Sequence, residues 1–229
     1  MRLLFRGLDA LLRRANGVFV FSEDPQCILR LSLGTAPHPL RLPGALIESG
    51  ASVLVIHLWN ERLPAFPTEG PDLAWGGKIL RSFRRSLGAV ASYMVQSPEL
   101  SKVRAVGGAT SLPFGGVHAG GGRLLQALGF TVLPYRSPLG AFGVFWENFY
   151  AWMLIWTYNP GSLPYRRFWR MRRSEFWATA DEFLSRYGQE SSFLLSERDR
   201  LAHAPELQTP AAAGGDQPDA VGGDGQGDQ

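Results

Sequence analysis

The run Val53-Leu54-Val55-Ile56-His57-Leu58-Trp59 decides how this chain is read. It is β-branched or bulky, carries no formal charge and shows no polar–apolar alternation, as expected of a strand covered on both faces. Asn60, Glu61 and Arg62 follow, and then the Pro- and Gly-rich stretch Pro64–Pro71, so the strand ends in a loop. Upstream, Val18–Ser22 and Cys27–Leu33 read as two strands joined by a turn at Glu23-Asp24-Pro25, with His38–Leu42 extending the sheet. Downstream, a helix from about Trp75 to Met94 carries the stripe Ile79, Phe83, Leu87, Val90 and Met94 at three- and four-residue spacing. Lys78, Arg81 and Arg85 occupy another of its faces. Val103–Val106 is a short strand that enters the glycine-rich loop Gly107–Gly122. A brief helix, Arg123–Leu128, is stopped by Gly129, and Phe130–Tyr135 is the next strand. The order predicts an α+β fold, a single mixed sheet packed by helices.

Both ends of the chain read as something other than sheet. Leu4, Leu8, Leu11 and Leu12 fall at helical spacing, while Arg6, Asp9, Arg13 and Arg14 interrupt any continuous apolar region. The first residues therefore read as an amphipathic helix rather than an export signal. After residue 135 two helices are expected, Phe142–Asn159 ending at Pro160 and Arg166–Tyr187 ending at Gly188. From about Ala202 onward Gly, Pro, Asp, Gln and Ala dominate and no apolar period survives, which predicts a disordered tail. The expected division is 1–135 for the α+β domain, 136–200 for a helical part packed on it, and 201–229 for the tail.

The formal charge is +3, but Asp216, Asp219, Asp224 and Asp228 stand in a stretch from Thr209 onward without Lys or Arg. The remaining residues therefore carry +7. A body this basic favours an anionic partner, either a membrane surface or a phosphorylated precursor. Cys27 is the only cysteine, so no intrachain disulfide can form, and the expected setting is cytoplasmic, at most peripheral to the inner membrane face. His38, His57, His118 and His203 lack ligand spacing, so no metal and no cofactor is expected. No recognition-helix or RNA-binding signature accompanies the basic residues, which argues against nucleic acid.

Three constellations carry candidate chemistry. His57 with Glu61 at the end of the apolar strand could supply acid–base groups, with Asn60 orienting a ligand; a buried histidine beside a capped turn is the alternative. The glycine-rich loop, with Thr110 and then Arg123, could cradle phosphate, and Arg81 and Arg85 could neutralise it, although no Walker or dinucleotide fingerprint is present; a flexible surface loop is the alternative. The third is the most pronounced. Phe142, Phe145, Phe149, Trp152 and Trp156 share a helical stripe, and Arg166, Arg167, Arg170, Arg172 and Arg173 follow closely. Aromatic rings beside guanidinium groups suit a membrane–water interface. Leu139–Tyr158 is open to three readings, a core helix, an interfacial helix or a bilayer span, the last opposed by Glu147 and Asn148 near its middle.

Several of these stretches resemble a known family. Leu42-Pro43-Gly44 through Ser49-Gly50-Ala51, the segment His57-Leu58-Trp59-Asn60-Glu61-Arg62-Leu63, Ser86-Leu87, Ala105-Val106-Gly107 to Thr110, and Leu128-Gly129-Phe130-Thr131-Val132 are similar to the YkoP-like domain. The resemblance covers about the first 135 residues. It implies a bacterial protein linked to envelope glycan or lipid metabolism, since such domains occur alone or attached to polysaccharide-deacetylase-like enzymes. It assigns no catalytic residue; the matched polar positions are His57, Asn60 and Thr110. Three functional expectations are carried, the third being a purely structural protein that binds a partner such as an envelope-biosynthesis protein. The first is a non-catalytic accessory module docked on an anionic membrane through Phe145, Trp152, Trp156 and the arginines. The alternative is an enzyme acting on a phosphorylated or glycosylated envelope precursor through His57 and Glu61.

Overall fold

The computed structural model describes residues 2–67, 69–70, 72–110, 120–165 and 168–188. The fold is α+β. Strands β1 (Leu29–Thr35), β4 (Ser52–Leu58), β5 (Ala105–Thr110), β6 (Thr131–Pro134) and β7 (Ser174–Thr179) form one mixed sheet in the order β1-β4-β5-β7-β6. Only β4 and β5 pair in parallel, and helix α2 (Leu73–Gln96) is the crossover that such a pair requires. Asp72 caps α2 by accepting the Trp75 N–H at 2.6 Å. Leu87, Val90, Ala91 and Met94 of α2 pack against Leu31, Leu54, Ile56, Val106, Phe176 and Ala178 on one face of the sheet. Helix α3 (Gly120–Ala127) and the helix over residues 180–188 complete that layer through Leu125, Phe183 and Tyr187. Gly129 ends α3 at φ 89°, a left-handed conformation that suits glycine.

The β4 strand is interior, as its apolar run predicts, and α2 and α3 fall where the periodicity puts them. Four expectations are corrected. The strand expected over Val18–Ser22 reduces to a single bridge, Phe19 to Leu31. Side chains take the backbone groups that follow: Arg62 donates to Asp24 O, Asp24 Oδ1 accepts Gln26 N–H, and Ser86 Oγ accepts Ile28 N–H. His38–Leu42 does not extend the main sheet. Leu40–Leu42 (β2) instead pairs with Ala45–Ile47 (β3) as a separate hairpin through Pro43-Gly44.

Gly107 and Gly108 are strand, not loop. The backbones approach so closely that a Cβ on Gly107 would overlap Phe176 O and the Trp177 ring, and one on Gly108 would sit 2.9 Å from Ile56 O. Residues 111–119 of the expected loop lie outside the described residues. Finally, Arg166–Tyr187 is not one helix. Phe168–Arg170 is a short 3-10 turn, Ser174–Thr179 is β7, paired antiparallel to both β5 and β6, and only 180–188 is helical. Ladder bonds to two neighbours override local helical preference. Residues 189–229, which include the expected tail, lie outside the described residues.

Helix α4 (Gly140–Tyr158) connects β6 to the turn before β7, and α1 (Arg2–Ala15) packs against it. Among the described residues no helix is long and apolar enough to cross a membrane.

Candidate functional site

Side chains alternate along each strand, so His57 lies on the face opposite Leu54 and Ile56, away from α2. Its neighbour there is Ser32, whose Oγ is 2.8 Å from His57 Nε2. Burial lowers the His57 pKa from its ordinary value, keeping the imidazole neutral. Ser32 is itself buried, so the pair reads as a fold contact between β1 and β4.

Glu61 does not reach His57. Its carboxylate is held by Arg13 at 3.1 Å and by Arg30 at 3.4 Å. Arg30 and Arg62 both lie over the Trp59 ring, at 4.1 and 3.5 Å from its centroid. Arg13 also places Nε 3.3 Å from Asp9 Oδ2, and Asp9 accepts from Tyr150 Oη at 2.5 Å and Tyr158 Oη at 3.1 Å. The segment 57–62 is thus the clasp that binds α1, β1 and α4 together. Burial and the Asp9 and Glu61 charges push Tyr158 up to about 12, and burial with the Asp9 bond raises Tyr150 as well.

The other candidate positions scatter. Asn60 is half-buried in the 3-10 turn Asn60–Arg62, Thr110 ends β5 opposite Ser174, and Arg123 is exposed on α3. Arg81 and Arg85 line a cleft on the α2 side, so the sheet separates them from His57. Among the described residues no group of three or more His, Cys, Asp or Glu could hold a metal ion.

Sequence reasoning missed Glu175. It is 2% exposed and accepts from Trp177 Nε1 at 3.0 Å, with His38 Nε2 at 3.1 Å. That hydrogen bond raises His38 above its ordinary value although burial opposes it. The only signal was one carboxylate in the otherwise uncharged run Ser174–Thr179.

The aromatic helix is inverted relative to a core helix. Its buried residues are Gly143, Asn148 and Thr157. Phe142 is 67% exposed and Trp146 50%, and Leu139, Phe145 and Phe149 are exposed with them. Trp152 and Trp156, expected outward, are half-buried. Inside, Asn148 Nδ2 donates to Met171 O. Arg173 also turns inward: it donates to Glu147 O at 3.2 Å and lies 5.0 Å from the Tyr135 ring centroid. Burial and the neighbouring Glu147 push Tyr135 up to about 12.

Rings tile the outer surface. Phe145 touches Trp146, Phe149 and Phe168, and Phe168 touches Trp169, which is 85% exposed. The Phe145–Phe168 contact, centroids 5.8 Å apart, fixes Phe168, at the start of the turn Phe168–Arg170, beside the helix. Arg172 is exposed there, and Arg136 is exposed shortly before the helix. Arg166 and Arg167, and the side chain of Arg170, lie outside the described residues. Helix α1 shows the same inversion, with Asp9 buried and Leu8 and Leu11 exposed beside Arg6 and Arg14.

A family model described as the YkoP domain matches residues 36–187. The match takes in α4 and β7, well past the stretch that the sequence resemblance covered. No curated protein and no solved structure matches the chain.

Proposed function

The chain belongs to the YkoP domain family, and we propose that this member is an accessory module that docks on an anionic membrane surface through α4 and the turn at Phe168–Arg170. The observation that carries the reading is that α4 turns Asn148 and Thr157 inward and Phe142, Phe145, Trp146 and Phe149 outward, joined by Trp169. The exposed part of Leu139, these four residues and Trp169 amounts to roughly 700 Å², taking about 200 Å² per large side chain. A patch of that size is somewhat larger than the ~300–600 Å² that isolated soluble proteins leave bare. Arg136 and Arg172 are exposed within a few residues of Leu139 and Trp169 in the chain, which suits lipid headgroups better than a neutral protein groove. Docking in an envelope setting, beside glycan or lipid metabolism, is part of the proposal and rests on the family resemblance.

Immersing about a third of the patch contributes about 6 kcal/mol at ~25 cal/mol per Å². Each arginine near an anionic leaflet adds about 1 kcal/mol. Flotation with vesicles of phosphatidylglycerol and phosphatidylcholine tests the reading, comparing the intact chain with W146S/W169S and with Arg166, Arg167, Arg170 and Arg172 all changed to Gln. The tryptophan pair accounts for over a third of the exposed area, so its loss should weaken binding by about 2 kcal/mol, roughly 30-fold. The arginine variant should lose selectivity for phosphatidylglycerol. Equal flotation of all three proteins, or none by the intact chain, refutes the proposal.

A further inference from the structure

The sheet has a gap in its cover on the face turned away from α2. There Leu40, Leu42 and Ile47 of the hairpin β2–β3 pack with Val53, Ala105 and Trp177. Ala109 is exposed, although β5 is the third strand of five and has β4 on one side and β7 on the other. A side chain in the middle of a sheet is exposed only where nothing packs above it. The opening lies at the carboxyl end of β5, whose parallel neighbour is β4, and open sheets collect their ligands at such strand ends.

The register decides what borders the opening. Continuing the β4–β5 ladder two residues beyond Val55 and Gly107 sets His57 beside Ala109. Ala109 pairs with Glu175, which pairs in turn with Leu133. Residues abreast across a ladder share a face, so these four side chains rise from the same side of the sheet. His57 and Glu175 are two strand spacings apart, about 10 Å between Cα atoms, with only the Ala109 methyl between them. Their side chains wall a depression. Toward Gly107 it is closed, because the Trp177 ring lies across that glycine.

The groups that border Ala109 hold no spare charge. Glu175 Oε1 accepts from His38 Nε2 at 3.1 Å and from the Arg136 N–H at 3.4 Å, and Oε2 accepts from Trp177 Nε1 at 3.0 Å. Arg30, abreast of His57 on β1, is tied to Glu61. His57 engages Ser32 through Nε2, and among the described residues Nδ1 has no partner. Phosphate finds no free cation in this row, and an amine finds no free carboxylate. A flat aromatic ligand has no ring to stack on, since Trp177 is 3% exposed. What remains is one hydrogen-bonding nitrogen above an aliphatic floor of Ala109 with half-buried Val55 and Leu133. A pyranose has the complementary construction, an uncharged ring with a C–H face and a rim of hydroxyls. We infer that the depression over Ala109 binds a neutral monosaccharide ring, seated by its C–H face on Ala109, Val55 and Leu133 with a hydroxyl on His57 Nδ1. The site shares no residue with the aromatic face of α4, so it stands or falls apart from the docking proposal.

The test is a nuclear magnetic resonance titration of the full chain with glucose, galactose and N-acetylglucosamine, with glucose 6-phosphate and cyclohexanol as comparisons. At least one neutral sugar should bind with a dissociation constant on the order of a few millimolar, as befits so small a ligand. It should shift the His57 imidazole and the Ala109 methyl before other resonances. Glucose 6-phosphate should bind at least tenfold more weakly than glucose or its neutral relatives, and so should cyclohexanol, which lacks the rim of hydroxyls. Ala109→Phe fills the depression at an exposed position where phenylalanine suits a strand, and should weaken the sugar at least tenfold with an unchanged circular dichroism spectrum. Ala109→Val, a smaller filling, should fall between the two. The inference is overturned if no neutral sugar moves these resonances at roughly 50 mM, far above the affinity expected. It is overturned equally if the phosphate ester or cyclohexanol binds as well as the sugar, or if Ala109→Phe binds like the intact chain.

Discussion

Asp9 is a single carboxylate on which the placement of two helices turns, and Asp9→Asn isolates its charge. The side chain is buried on α1 and accepts hydroxyl hydrogens from Tyr150 and Tyr158 of α4 at 2.5 and 3.1 Å. Asparagine keeps the shape but not the charge. A hydrogen bond to a charged acceptor contributes ~1.5–3 kcal/mol net, against about 1 kcal/mol for a neutral one. Over two hydroxyls the change should cost about 2–3 kcal/mol, a large share of the ~5–15 kcal/mol that holds a domain folded. Urea unfolding followed by far-ultraviolet circular dichroism measures the loss. A double-mutant cycle with Tyr150→Phe should give a coupling of about 1–2 kcal/mol. Ultraviolet titration supplies an independent reading. The Asp9 charge helps hold Tyr158 at about 12, so in the variant this phenol should ionise at lower pH, while burial keeps it above its ordinary 10.0. A loss below about 0.5 kcal/mol together with an unchanged tyrosine titration would refute the clasp.

Two further outcomes follow from the packing. Gly107→Ala should destabilise by about 3 kcal/mol or more, since the new methyl would overlap Phe176 O and Trp177 in neighbouring β7, whereas Gly76→Ala, with open space around it on α2, should stabilise by up to about 1 kcal/mol; thermal unfolding of the pair checks the contrast, and equal effects would disprove the close approach. His38 is raised above its ordinary 6.5 chiefly by its bond to Glu175, against the opposing pull of burial and Arg136, so the folded state binds its proton more tightly than the unfolded chain does. Its contribution is complete below about pH 6.5 and is lost as pH rises through the higher folded value. The gap in urea midpoint between the intact chain and His38→Gln should therefore be wider at pH 5.5 than at pH 8.5, and a gap that is flat or grows with pH contradicts the pairing.

What could be seen in the sequence was what repeats locally. Helices α1, α2 and α4 announce themselves through spacing, and β4 through an unbroken apolar run. Strand β7 did not, because its identity comes from pairing with β5 and β6, far away along the chain, and the nearby arginines and aromatics look equally helical. Hairpin strand β3 has three residues, too few for any period. The candidate residues fared likewise. His57, Glu61 and Arg62 are close in sequence, yet their partners Ser32, Arg13 and Asp24 come from three other elements. The stripe on α4 was visible, but its direction was not: apolar residues surround that helix, and only the burial of Asn148 and Thr157 settles which side faces out.

The place of β7 in the sheet also sets an order on biosynthesis. Among the described residues β6 has no neighbour in the sheet except β7, and β5 needs β7 on its free side, yet β7 is the last of these strands to be made. At ~5–20 residues per second, the ribosome takes a few seconds to pass from Pro134 to Thr179. For that interval a nascent chain holds a bare strand and a half-dressed one, either of which can pair with a stranger. Any truncation upstream of Ser174 makes that interval permanent, so such fragments should accumulate as aggregates rather than as a smaller folded core.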